Sequence, residues 1–167
     1  MGVGYYKNMT LWHNGANPYG CSSIQNDLTV ITTNNGFTFR TDDYTNSINQ
    51  AGNIAFTNNQ FVVNGVVETT TDVDLVKFSM PVNARFQLDA IPYNVGTGNN
   101  GSDVDLQIAL YNSQKVLVRT FNPGTLLSSV IDTTLSSGNW YMQVEGKGNE
   151  YAPDYASLGS YSLSGRY

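Results

Sequence analysis

The chain has 167 residues, 40% of them apolar and only 13% charged, with a formal net charge of −5. Charged residues are about half as frequent as in an ordinary soluble domain. The eight Lys and Arg are scattered, which excludes the clustered cations that a nucleic-acid surface needs. No run of about 18 apolar residues exists, so no helical membrane span is expected.

Asn, Thr, Ser, Gly and Tyr take the place of charge. They suit an extracellular β-protein and are poor material for long helices. The opening Met1-Gly2-Val3-Gly4-Tyr5 has neither the basic start nor the apolar core of a signal peptide. If the protein is secreted, this sequence is expected to be a cut-down piece of something longer. Cys21 is the only cysteine, so no internal disulfide forms. It reads as a small buried or idle thiol, or as one available for an intermolecular bridge.

Residues 1–35 stand apart from the rest. They hold Trp12, His13, Pro18, Cys21 and two turn pairs, Asn14-Gly15 and Asn35-Gly36. The spacing of Ile24, Leu28 and Ile31 predicts a short helix over 22–31, with Ser22 as N-cap and Gln25 completing a capping box. The β-branched Thr29, Val30 and Ile31 leave a strand as the competing reading.

Met1-Gly2-Val3-Gly4-Tyr5-Tyr6-Lys7-Asn8, Thr10-Leu11-Trp12, Gln25-Asn26-Asp27-Leu28 and Ile31 together resemble the tail of a bacterial secreted zinc metalloprotease of the metzincin kind. The resemblance implies that Met1 is the methionine of a Met-turn. It also implies that the zinc-binding helix lies upstream, so that no zinc binds this chain. Some metzincins use a tyrosine two residues past that methionine as a ligand. Here the nearest, Tyr5, is four past it, so that role is not carried over.

From Gly36 the pattern changes to strands and turns. Phe37 and Phe39 alternate, and Ile54-Ala55-Phe56 is a short strand. The stretch 61–67 predicts a hairpin, because Asn64-Gly65 supplies the positive φ angles of a two-residue turn. Asp74 to Ser79 is a central strand, ended by Pro81. In 82–88, Val82, Ala84, Phe86 and Leu88 point inward while Asn83, Arg85 and Gln87 point outward. A Gly- and Asn-rich loop over 94–102 leads to a second central strand, Asp103 to Tyr111. Lys115 to Phe121, the run around Val130, Ile131 and Leu135, then 140–144 and 161–163 complete the set. Turn signals at intervals of roughly ten residues between about eight or nine strands predict an all-β antiparallel sandwich, jelly-roll in type. The expected division is a loop-and-helix segment over 1–35 and the sandwich over 36–167.

The carrying stretches Asp72-Val73-Asp74-Leu75-Val76-Lys77-Phe78, Asp103-Val104-Asp105-Leu106 with Leu110-Tyr111, Gly138-Asn139-Trp140-Tyr141-Met142-Gln143-Val144, and 155–161 resemble the peptidase pre/C-terminal (PPC) domain. The resemblance implies a non-catalytic β-sandwich appended to a secreted bacterial hydrolase. Such domains assist secretion, solubility or substrate binding, and some bind calcium.

The tetrapeptide Asp-Val-Asp-Leu occurs twice, at 72–75 and 103–106. In a strand, residues i and i+2 share a side, so Asp72 with Asp74, and Asp103 with Asp105, each bring two carboxylates together. Like charges that close need a cation or donors. Calcium accepts such pairs with loop carbonyls, which 96–102 would supply. The alternative is that each Asp caps a turn through backbone N–H groups. Asp42, Asp43 and Glu68 are further acidic candidates. A lone His13 cannot assemble a His-rich zinc site, and it has no partner that makes a nucleophile–base pair legible.

Trp140 shares parity with Met142 and Val144 and belongs to the core. Tyr111 and Tyr141 fall on the opposite face, either as ligand contacts or as half-covered tyrosines. No catalytic residue is expected. The expected partners are a parent protease domain or a protein or polysaccharide substrate. Two alternatives remain: a stand-alone carbohydrate- or protein-binding module, and an extracellular structural subunit that self-associates through sheet edges.

Overall fold

The computed structural model describes residues 7, 9–17, 22–95, 100–155 and 157–167. Met1, Tyr5, Cys21 and the loop residues 96–99 lie outside the described residues, and with them the readings made on each. The elements in chain order are β1 (Asn14–Ala16), β2 (Ile24–Asn26), α1 (Asp27–Thr29), β3 (Gly52–Asn53), β4 (Gln60–Val67), β5 (Val73–Met80) and β6 (Ala84–Pro92). They continue with β7 (Leu106–Tyr111), β8 (Leu117–Phe121), β9 (Ser129–Leu135), β10 (Gly138–Gly146) and β11 (Gly159–Arg166).

The long strands form the expected sandwich. One sheet has the order β3-β5-β10-β7-β8 and the other β4-β11-β6-β9, while β1 and β2 pair separately. The pairings are antiparallel, except that β3 runs parallel to β5. Alternation decides which side chains enter the core. Val76, Phe78 and Met80 of β5 and Met142 and Val144 of β10 face Phe86 and Leu88 of β6 and Leu163 of β11. The Phe78 and Phe86 rings stack across the two sheets at 4.9 Å. Each such side chain, fully withdrawn from water, contributes about 1.5–3 kcal/mol toward offsetting chain entropy. Trp140 is buried, as its parity requires, and its indole N–H donates to the Ser136 carbonyl.

Several local expectations are corrected. The short strand expected over 54–56 falls instead at Gly52–Asn53, and Ile54 and Phe56 join the core without belonging to a strand. Residues 24–26 form a strand, and the helix starts only at Asp27, capped by Asn26, whose side chain accepts the Thr29 N–H. A π-type turn over Val30–Asn34 follows, and the β-branched run is what shortens the helix. Asn64-Gly65 makes no turn, because β4 runs straight through it. Glycine stands there because the Tyr161 ring crosses it: a Cβ on Gly65 would lie 2.3 Å from the phenol oxygen. Phe37 and Phe39 belong to no strand and are exposed, and Val82 is exposed ahead of β6. The second central strand begins at Leu106, after the acidic pair.

The N-terminal segment rests on one end of the sandwich. Thr10 N–H donates to the Ser102 carbonyl, and Gly101 N–H to that of Lys7. The Tyr155 phenol donates to Asn26 Oδ1 at 2.8 Å. Residues 43–50 lie along β5: Leu75 N–H donates to the Thr45 carbonyl and Val73 N–H to Asn46 Oδ1. This loop carries Asp42 and Asp43 to the end of the sandwich where β4 crosses over into β5.

Candidate metal centre

One carboxylate oxygen from each of Asp42, Asp43, Glu68 and Asp74 lies within 4.8 Å of those of the other three. Each is positioned by a different local cause. Glu68 follows the last residue of β4, where alternation has just placed Val67 in the core. Asp74 is the inward-facing residue one step before Val76, so it enters between the sheets. Asp42 and Asp43 arrive from the loop pinned on β5. Asp72 closes the crossover: its Oδ2 accepts the Glu68 N–H at 3.0 Å, and its own N–H donates to the Thr69 carbonyl.

Two of the four are withdrawn from water. Glu68 is 6% exposed and Asp74 0%. Both Glu68 carboxylate oxygens and Asp74 Oδ1 are buried without a hydrogen-bond partner. Asp74 Oδ2 accepts a 2.6 Å bond from the Tyr161 phenol. Burial, reinforced by the neighbouring carboxylates, pushes the Glu68 carboxyl up to about 8. Burial pushes Asp74 up to about 7, against the Tyr161 bond and helped by the Asp72, Asp43 and Asp42 charges. Burial also raises Asp43, opposed by the Val66 N–H. Burial and the Asp74 charge hold the Tyr161 phenol well above its ordinary value.

The donor set is all oxygen, the chemistry of a hard cation rather than of zinc or copper. Two ligands each about 2.4 Å from a calcium ion stand at most about 4.8 Å apart. The residues present therefore fit a divalent ion of that kind. Without one, three buried oxygens lack partners and the group must carry protons.

The acidic pairs legible in the sequence do not converge on one site. β10 lies between β5 and β7. Asp74 pairs with Val144, whereas Leu106 pairs with Gly146 and the Asp105 carbonyl accepts the Lys147 N–H beyond it. Asp72 takes the turn-capping role. Asp105 is fully buried and holds the 146–157 loop: its Oδ2 accepts from Asn149 at 2.7 Å and its N–H donates to Ser157 Oγ. Asp103 is half-buried, and burial raises its carboxyl. Asp42, Asp43 and Glu68 complete the cluster instead. The sequence signal for them is weak, since nothing local ties Asp42-Asp43 to a residue about 30 positions away.

Tyr111 and Tyr141 are cross-strand neighbours on β7 and β10, a pairing that the strand order and register bring about. They do not form an open platform. Tyr141 is 9% exposed, and Lys115, at φ 61°, places its ammonium 5.7 Å from the ring centroid. The Tyr111 phenol donates to Gln143 Oε1 at 2.9 Å. His13 accepts no role with the cluster; its ring lies 3.1 Å from the Ala16 carbonyl.

No protein-family model matches this sequence, and no curated protein sequence matches it. The fold is similar to the crystal structure of the pre-peptidase C-terminal domain of a collagenase from Bacillus anthracis. That match has a TM-score of 0.51 and 12% identity, covering 77% of this chain and 100% of that one. It is also matched to PliG of Aeromonas hydrophila, a periplasmic inhibitor of g-type lysozyme, with a TM-score of 0.42 and 9% identity over 70% of this chain and 96% of that one. The fold is thus that of a PPC-like β-sandwich.

Proposed function

We propose that this chain is the C-terminal part of a secreted bacterial metalloprotease: residues 1–35 are the tail of the protease domain, and 36–167 are a non-catalytic accessory module. The module assists secretion or stability, or holds a protein or polysaccharide substrate for the protease, and works outside the cell. One observation carries this reading: a PPC-like sandwich follows directly on a segment whose string resembles a metzincin tail. Calcium belongs to it as the ion held by Asp42, Asp43, Glu68 and Asp74, supported by the three partnerless buried oxygens. The ion would tie the 42–50 loop to the β4–β5 crossover and neutralise the cluster.

The coding DNA upstream of Met1 tests the parentage. An in-frame His-Glu-x-x-His is the expected finding. A stop codon, or a signal peptide directly ahead of Met1, overturns it. The chain itself, with zinc added, is expected to leave casein intact, and turnover of casein by this chain alone would equally overturn the reading.

A further inference from the structure

A groove of about 600 Å³ runs over the outer face of the four-stranded sheet, beside the carboxylate cluster. Its shape follows from side-chain length. Ser160 and Ser162 on the central strand β11 make a low floor. Val66 on β4, and Ile91 with Tyr93 at the end of β6, make taller walls.

The chemistry of the lining narrows the occupant. β11 is paired on both sides, with β4 and with β6, so the floor offers no free ladder for an added peptide strand. Recognition must come from side chains. Those present are neutral hydrogen-bonding groups: the two serine hydroxyls and the amides of Asn64 and Asn94. Asn94 spends its N–H on the Pro92 carbonyl, and its Oδ1 is buried without a donor. Tyr93, 65% exposed, presents an aromatic face. Arg40 and Asp43 bring opposite charges, so the lining as a whole favours neither an anion nor a cation.

Ring hydroxyls beside an apolar sugar face match hydroxyls and amides beside a tyrosine ring. We infer that this groove binds a neutral oligosaccharide segment, one ring stacking on Tyr93 and its hydroxyls bonding Ser160, Ser162 and the exposed amide of Asn64. The inference rests on the reading of the sandwich as a module that holds ligands. It does not depend on the protease parentage.

Native affinity electrophoresis of the full chain tests it, in gels carrying soluble xylan, galactomannan or mixed-linkage β-glucan. Polygalacturonate serves as the anionic arm and gelatin as the peptide arm. At least one neutral polymer is expected to retard the chain, with no retardation by polygalacturonate. Tyr93→Ala and Ser162→Trp, both outside the core, are each expected to weaken that retardation at least tenfold while leaving the melting temperature in place. Three outcomes overturn the proposal: no neutral polymer retards the chain; retardation survives both substitutions; or gelatin alone retards it and Tyr93→Ala abolishes that.

Discussion

The Tyr161 phenol reaches from one sheet to the other and donates a 2.6 Å hydrogen bond to Asp74, whose second oxygen has no partner. A single neutral donor thus serves a carboxylate with no exposure to water. Tyr161→Phe removes it. The bond is worth about 1.5–3 kcal/mol when Asp74 is charged and about 1 kcal/mol when it is neutral. Urea unfolding in EDTA is therefore expected to show a larger loss at pH 8 than at pH 5. Equal losses at the two values would mean that Asp74 does not change its charge between them in the folded protein.

The cluster makes stability depend on pH in a definite direction. Glu68 and Asp74 are raised to about 8 and about 7, so the folded chain keeps protons that the unfolded chain has released. Their contribution is fullest near pH 4 and falls as pH rises toward 8, by on the order of a few kcal/mol. Melting in EDTA from pH 5 to 8 checks this. A profile that rises over that range excludes the carboxylate origin.

Calcium is expected to reverse that trend, because it competes with protons for the same oxygens. At a calcium concentration about 100 times Kd, the melting temperature at pH 8 should rise by about 5–10 °C. The rise should shrink at pH 5. Glu68→Gln should stabilise the calcium-free chain at pH 8 and largely remove the calcium response. Asp103→Ala, distant from the cluster, should leave the response in place. Loss of the response in Asp103→Ala but not in Glu68→Gln would put the ion at the other acidic pair.

Gly65→Ala is expected to destabilise by about 1–3 kcal/mol, because the new methyl group meets the Tyr161 phenol 2.3 Å away. Ring carbons Cζ and Cε1 would also lie 2.4 and 2.9 Å from that methyl group, so the double variant with Tyr161→Ala, which removes the whole ring, should lose less than the sum of the two single losses, which chemical denaturation would read as non-additivity. Simple addition of the two losses would show that the contact is relieved elsewhere.

Tyr155→Phe removes the donor to Asn26, and with it a tie between the N-terminal segment and the sandwich. Amide exchange over residues 26–34 should speed up while β5 and β10 stay protected. Unchanged exchange there would mean that the backbone bonds at Thr10 and Gly101 suffice.

Much of the fold was open to a reading of local pattern. Period-2 alternation in 74–79, 82–88 and 140–144 marks a dry face whatever the partner strand is, and apart from Val82 and the carboxylate of Asp74 that face is the core; that Leu75 and Tyr141 on the other face are buried too depends on what lies over the sheet. The Asn64-Gly65 reading failed for the opposite reason. A glycine is chosen either for its own φ or for what passes over it, and only the second applied here, from a tyrosine 96 positions later. The acidic pairs show the same divide. Asp72 took a backbone partner within its own crossover and Asp105 took side-chain partners from a loop more than 40 positions away, while Asp74 alone of the four joined a cluster.

The sequence by itself determined the class of this protein: a charge-poor chain whose alternating runs bury one face only when two sheets stack. The tertiary structure decided where its chemistry collects. Asp42, Asp43, Glu68 and Asp74 meet because a crossover between sheets and a loop laid on β5 end at the same edge of the sandwich. Serines and Tyr93 form a groove because β11 lies between two taller strands. Alternation is a property of neighbours along the chain, whereas a site is a property of neighbours in space, and strand order is what joins the two.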